Sequence, residues 1–346
     1  MIWIGLDVHQ RFSRMGCFDP ASGEVHDLGS VSNEASALEE ALEELASPKT
    51  VVLEAGRSSY HMAGLLESMA QQVWIVDPGE VRRLQHTISK TDRRDAAALA
   101  WWAAKGVLTP QWRPDAQTMD LRELTRGKTA LTRMSTQVRT MIRMLLARSG
   151  HECPHRDLMS ERGQLWLEEV ELAGHAGQLL AGLREILVVV QAKVDDFERL
   201  VEQASAKHPM ARRLRTIPGI GPFLSLALAV EIGDISRFPG PAQLRGYSGL
   251  VPAVYQSGDK EARGPLTKTG NPSADGLRYA AVLAAQRIGQ MKEPDPRLKR
   301  LFLSVAFRHG RNPAKIAVAR GLLDLVYYML KKEEDYRAPR ARKAAA

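Results

Sequence analysis

The sequence predicts an α/β layer domain at its N-terminal end, two long helices in the middle and a mainly helical, strongly basic C-terminal region. Three observations carry this reading. Short β-branched apolar runs come first and then alternate with helical patterns as far as about residue 105, the order of an α/β layer. Residues 116–148 repeat Leu and Met at three- and four-residue steps with almost no Gly or Pro. Charge is also unevenly spread: residues 1–105 hold 10 Lys and Arg against 15 Asp and Glu, 106–210 hold 14 against 14, and 211–346 hold 24 against 11.

Residues 2–8 are an apolar, β-branched run and read as a buried strand. Residues 12–18 make a second strand, and the turn-rich Asp19-Pro20-Ala21-Ser22-Gly23 leads to a third near 24–28. Asn33 suits the N-cap of a helix through about residue 45, whose Leu38, Leu42 and Leu45 recur at helical spacing. Residues 50–53 read as a buried strand ending at Glu54. Ser58 or Ser59 caps a helix to about residue 71, and 73–76 is a strand stopped by Asp77-Pro78-Gly79. The alanine-rich stretch 92–105 is a helix. Pro110 and Pro114 mark a linker. Long amphipathic helices are expected at 116–148 and 177–206, separated by a polar break at 149–162, as in an antiparallel hairpin or a coiled coil for self-association. From Arg212 onward glycine and positive charge rise. The turn Ile217-Pro218-Gly219-Ile220-Gly221 enters an apolar helix at 223–232, and 249–270 reads as a long Gly-rich polar loop. Helices return at 273–288, 295–309 and 312–332, and a basic tail is expected to fray. The expected domains are 1–107, 115–208 and 209–333, with the tail at 334–346.

Composition narrows the function. A chain of 346 residues with 44% hydrophobic and 25% charged residues is not wholesale disordered. No apolar run approaches the ~18–20 residues that cross a bilayer, so no membrane partner is expected. The start MIWIGLDVHQ lacks a basic n-region and a cleavage site, and only Cys17 and Cys153 could pair, so a reducing cytoplasm is the expected home. The net charge of +8, concentrated in the last third, favours a polyanionic partner, nucleic acid above all.

Four acids stand where a structural role explains them poorly in combination. Asp7 and Glu54 close apolar strands, and ligands of open α/β sheets gather at such carboxyl ends. Asp92 and Asp95 lie three apart at a helix start, hence on one face. Singly, each has an ordinary explanation: a strand-end turn residue, an N-cap, or an acid that suits the helix dipole. Brought together, they would repel one another without a cation, and hard oxygen ligands of this kind suit Mg²⁺ or Mn²⁺.

In the basic region Ser257 precedes Gly258, a pair that usually marks a loop. Its neighbours Lys260, Arg263, Lys268 and Arg278 could hold a phosphate, but activation of the hydroxyl needs a base or metal, and only Asp259 and Glu261 are close in sequence. Tyr255 reads as a packing residue with a polar tip. The Gly-rich turn at 217–221, preceded by Arg212, Arg213 and Arg215, reads equally as a phosphate-binding hairpin, as in helix-hairpin-helix DNA binders, or as an ordinary tight turn. His151, Cys153 and His155 lack the further ligands a zinc site requires. Trp101 and Trp102 read as core or interface anchors.

Taken together, IGLDVHQ, VLEAGRSSY and KTDRRDAAALA, followed by IPGIGPFLSLALAVEIGDISRF and LRGYSGLVPAVYQSGDKEARGPLTKTGNPSADGLRYA, resemble the DEDD transposases of bacterial insertion sequences. The likeness covers about residues 1–105 and 210–330. It implies an RNase H-like (RuvC-like) N-terminal domain, a coiled-coil middle and a C-terminal transposase domain. It also implies a recombinase guided by an element-encoded bridge RNA, with donor and target DNA as partners, in the bacterial cytoplasm at the nucleoid. By the resemblance, Asp7, Glu54, Asp92 and Asp95 bind Mg²⁺ and Ser257 forms a covalent phosphoserine intermediate. The site is then composite between protomers, in a dimer that assembles to a tetramer. Two competitors are a hydrolytic nuclease or Holliday-junction resolvase using the acids alone, and a non-catalytic nucleic-acid-binding protein.

Overall fold

The structure, a computed structural model, describes residues 1–85, 92–257, 260–266 and 276–338, with backbone alone at 92–94, 254–257, 260–263 and 265. It divides into two compact units, 1–113 and 114–346. The first unit contains β1 (Ile2–Val8), β2 (Phe12–Asp19), β3 (Glu24–Ser32), α1 (Ala35–Glu43), β4 (Lys49–Glu54), α2 (Ser59–Leu66), β5 (Gln72–Val76), α3 (Pro78–Gln85) and α4 (Asp92–Ala104). The strands form one sheet in the order β3-β2-β1-β4-β5. The first three are an antiparallel meander, and β4 and β5 continue it in parallel with β1. A mixed sheet in this order, with helices laid against it, is consistent with an RNase H-like fold.

Side chains alternate across this sheet with the two-residue period of a strand. Ile4, Leu6, Val51, Leu53 and Ile75 are buried with Leu38 and Leu42 of α1 and Met62, Ala63 and Leu66 of α2. Val52 and Val76 face the other way, onto Val81 of α3 and Leu99, Trp102 and Ala103 of α4. Each fully buried aliphatic chain contributes about 1.5–3 kcal/mol. Helix α4 sits unusually low on the strands. A Cβ added to Gly5 would lie 1.9 Å from the Ala96 carbonyl oxygen, and one on Gly16 would lie 2.7 Å from the Ala97 Cα. Glycine at both strand positions permits this approach. Trp102 is buried there, while Trp101 is 40% exposed.

Helix α2 ends at Leu66, short of the expected residue 71, and β3 runs on to Ser32. Two further details differ from the sequence expectation. Asn33 does not cap α1; the N-cap is Glu34. The Asn33 carboxamide instead accepts from Ser13 Oγ (2.6 Å) and donates to the His9 carbonyl (2.8 Å), a better use of its two-sided chemistry beside the β1–β2 connection. The short helix α3 follows from Asp77, whose Oδ1 accepts from the Gly79 and Glu80 N–H groups.

The second unit contains α5 (Ala116–Arg148), α6 (Glu161–Glu169), α7 (Gly174–Lys207), α8 (Pro209–Leu214), α9 (Pro222–Ile232), α10 (Pro241–Tyr247), β6 (Pro252–Ser257), β7 (Lys260–Leu266), α11 (Leu277–Gln290), α12 (Pro296–His309) and α13 (Arg311–Lys332). Helices α5 and α7 run antiparallel, as the pairs Lys128–Glu198 and Ser135–Gln191 show. Their seam of Val138, Ile142, Leu145, Leu183 and Leu187 is completed by Leu158 and by Leu167 of α6. The stretch 149–162 is therefore not only a break, because Leu158 is buried in it.

Helix α9 is buried from Leu224 through Ile232, against α11 (Ala280, Ala281, Ala284, Ile288), in a core shared with Val318, Leu322 and Val326 of α13. Two charges lie inside: Glu231, 1% exposed, accepts from Arg126 at 2.8–2.9 Å. Arg122, also buried, donates to the Val230 and Glu231 carbonyls at 2.9 and 3.2 Å, tying α5 to α9.

The expected loop at 249–270 contains a hairpin instead. Strands β6 and β7 pair antiparallel, with a register shift between Pro252 and Val254. Pro252, Gly264 and Pro265 interrupt the alternating pattern that would have announced them. The tail does not fray at its root either. The Tyr336 N–H donates to Thr216 Oγ1 and its hydroxyl to Asp295 Oδ2, both at 2.8 Å.

Candidate functional site

The parallel pairing of β1 with β4 sets Leu6 beside Leu53, so Asp7 and Glu54 follow as neighbours at the carboxyl ends of adjacent strands. Leu6 and Leu53 both enter the core beneath α1 and α2. By alternation, Asp7 and Glu54 belong to the opposite face, the one α4 covers. The close approach of Ala96 to Gly5 then brings Asp95, the preceding residue, to the same end of β1. The fold thus sets Asp7 and Glu54 side by side at one edge of the face against which α4, the helix that carries Asp95, is laid. Asp92 opens α4 by its backbone, and its side chain lies outside the described residues. Among the described residues, no three His, Cys, Asp or Glu side chains form a ready-made metal cage.

His9 was missed by sequence reasoning. Its Nε2 lies 3.5 Å from Asp7 Oδ2, and its ring lies against Phe12, tilted by 41° with centroids 4.9 Å apart. The signal was the i, i+2 spacing of Asp7 and His9, which puts two residues on one face of extended chain. Asp77 closes β5 at the same sheet edge but is used up structurally. Besides capping α3, its Oδ2 accepts from Gln111 Nε2 at 3.0 Å.

In the second unit Ser257 is the last residue of β6, paired in register with Lys260; Arg263 pairs with Val254. Of these three only the backbone is described. Gly258, Asp259 and Lys268 lie outside the described residues. Arg278, near the start of α11, is half-buried, and its Nε donates to the Ser248 carbonyl at 3.3 Å. The arginine cluster before the hairpin is partly committed. Arg215 pairs with Glu202 at 2.9 Å, and Arg213 lies 3.7 and 4.0 Å from Glu333 and Asp335. Arg212 is exposed. The segment 217–221 is the turn between α8 and α9, with Gly219 at φ +91°, a conformation that favours glycine. It lines a cleft of about 900 Å³ that also includes Arg215, Gln286 and Arg287.

The HECPH segment is bound into local structure. Cys153 Sγ donates to the His155 carbonyl at 3.2 Å, and His155 lies edge-on to Trp166. Among the described residues no helix is long and apolar enough to cross a membrane.

Two family comparisons bear on this arrangement. Residues 4–150 match the DEDD-type family of IS110 elements, described as "Transposase". Residues 211–302 match "Transposase IS116/IS110/IS902 family". The chain is similar to the IS110/IS116 transposases over both of these segments.

Full-length relatives agree. This transposase is 25% identical over 297 residues to the transposase for insertion sequence element IS1111A of Coxiella burnetii, covering 83% of this chain and 79% of that one. It is 26% identical over 284 residues to the transposase for IS1328 of Yersinia enterocolitica, covering 81% and 83%. The transposase is therefore an enzyme of DNA cleavage and strand transfer. Its DEDD domain implies a divalent metal. The donors at the sheet edge fit one in kind, because Asp7, Glu54 and Asp95 offer only hard carboxylate oxygens.

Proposed function

We propose that this transposase is a site-specific DNA recombinase guided by a bridge RNA encoded by its own element, working through a phosphoserine intermediate at Ser257. The observation that carries the reading is the meeting of Asp7 and Glu54 at neighbouring strand ends beneath the helix that begins with Asp92 and Asp95. The division of charge supports it: the acidic unit suits cations, and the basic unit suits polyanions. In this reading residues 1–107 form the RuvC-like catalytic domain, 115–208 the self-association domain and 209–333 the serine-bearing transposase domain.

Asp7, Glu54, Asp92 and Asp95 would hold Mg²⁺, which when bound polarises a phosphoryl oxygen. Ser257 Oγ forms a bond to phosphorus as the bond from phosphorus to one deoxyribose oxygen breaks. That oxygen leaves as a hydroxyl, taking up a proton. A hydroxyl of the partner strand then attacks the phosphoserine, restoring Ser257 and the phosphodiester count, so no nucleotide triphosphate is consumed. Lys260, Arg263, Lys268 and Arg278 would hold the scissile phosphate, and Arg212, Arg213 and Arg215 the flanking backbone. The acids that activate Ser257 come from another protomer, in a dimer that assembles to a tetramer.

The test is to purify the protein from its host and sequence the RNA bound to it. A discrete RNA from the DNA flanking the reading frame is expected. Absence of any enriched RNA, with cleavage intact, would exclude guidance.

A further inference from the structure

The most exposed large apolar side chain among the described residues is Phe307, 93% accessible, on the outer face of α12. Arg300, Leu303 and Phe307 lie at i, i+3 and i+7, which places them in one stripe. Leu303 is itself 57% exposed. The inner stripe is ordinary: Leu298 is buried, and Phe302 packs against Gly289 of α11. All seven residues from Phe307 to Pro313, the corner between α12 and α13, are exposed.

Charge at this corner has one sign. Helix α12 holds no Asp or Glu, and the next acid in the chain after Asp295 is Asp324. Asp295 is 1% exposed and capped over by Arg297, Leu298 and Tyr336. Among the described residues, the side chains of Arg300, Arg311 and Lys315 make no hydrogen bond or ion pair. Arg308 is held along the helix by Ser304, at 3.0 Å from its Oγ. Among the described residues, Phe307 meets no other ring. A fully wet aromatic ring amid unpaired cations is costly to keep bare and complementary to a polyanion that carries flat faces. An acidic protein surface would satisfy the cations but not the ring.

We infer that the α12–α13 corner is a stacking platform for an unpaired nucleotide, with Phe307 under the base and Arg300 and Arg311 on the adjoining phosphates. This rests on the nucleic-acid reading above and adds to it where the strand is read as single. Phe307 lies beyond residue 302, where the family match ends.

The experiment measures binding of the full chain to a fluorescein-labelled 20-nucleotide single strand and to the same sequence as duplex, without divalent metal. Phe307→Ala should weaken single-strand binding about ten-fold, the usual worth of one stacked base, with the duplex changed less than two-fold. Phe307→Trp should restore it. Arg311→Gln should lower the salt slope of single-strand binding by about 0.7. Equal single-strand affinity in wild type and Phe307→Ala overturns the inference while leaving the proposed function standing. So does unchanged affinity with a loss of oligomers by light scattering, which would make the corner a protein interface. Failure of the wild type to bind either probe overturns both.

Discussion

Replacing Gly5 by Ala tests how the fold builds the acidic edge. The added Cβ would start 1.9 Å from the Ala96 carbonyl oxygen, 2.9 Å from its carbon and 3.0 Å from the Ala100 nitrogen. All three are backbone atoms of α4, so no side-chain rotation relieves the clash. Ordinary contact needs more than 3 Å, so the helix must retreat by roughly 1–1.5 Å. Asp95 moves with Ala96, whereas Asp7 stays with the strand. Active sites tolerate only about 0.5 Å of such error, and metal ligands about 0.2 Å. Overpacking should cost about 1–3 kcal/mol in urea unfolding, and Mg²⁺-dependent strand cleavage should fall about 100-fold. Gly64→Ala is the control, because a Cβ there meets nothing within 4 Å on an exposed helix face and should stabilise by about 0.5–1 kcal/mol. Cleavage by Gly5→Ala within two-fold of wild type would refute the placement of α4 as the device that delivers Asp95.

Other outcomes follow from the same structure. Glu231→Ala strips the acceptor from the partly exposed Arg126 and the carboxylate 4.0 Å from the buried Arg122, whose charge is then left uncompensated, so it should lower stability by about 3–5 kcal/mol in denaturant melts; a loss under 1 kcal/mol would contradict the buried pairing. Burial first, and then the hydrogen bond to Asp295, pushes the Tyr336 hydroxyl up to about 12. A raised pKa in the folded state means that this contribution is intact below the unfolded value of about 10 and is lost as pH rises from there through about 12. Tyr336→Phe should therefore lose less stability than wild type between pH 9.5 and pH 11.5; parallel losses would rule out the contact.

Much of this molecule is written locally. The helix Ala116–Arg148 was expected at the residues where it forms, because a 33-residue apolar period without proline has no competing structure. Strands β1, β4 and β5 were legible from their β-branched runs. The β6–β7 hairpin was not, since its prolines and glycines mimic a loop and its pairing is decided by contacts beyond the segment. The anchoring of Tyr336 was equally hidden, for its partners Thr216 and Asp295 lie 120 and 41 residues away. At the candidate site, residue type picked out Asp7 and Glu54, but their adjacency depends on strand order. Arg213 and Arg215 read as free cations only because their carboxylate partners come from distant helices or the tail.

The composite site is tested most directly by mixing two inactive proteins. Asp7→Ala keeps Ser257, and Ser257→Ala keeps the four acids. With a DNA substrate, co-purified RNA and Mg²⁺, neither protein alone should form a covalent adduct, and the mixture should form one on the Asp7→Ala chain. A mixture that stays silent, or free-ended cleavage by Ser257→Ala alone, would contradict a serine activated by the carboxylates of a second copy.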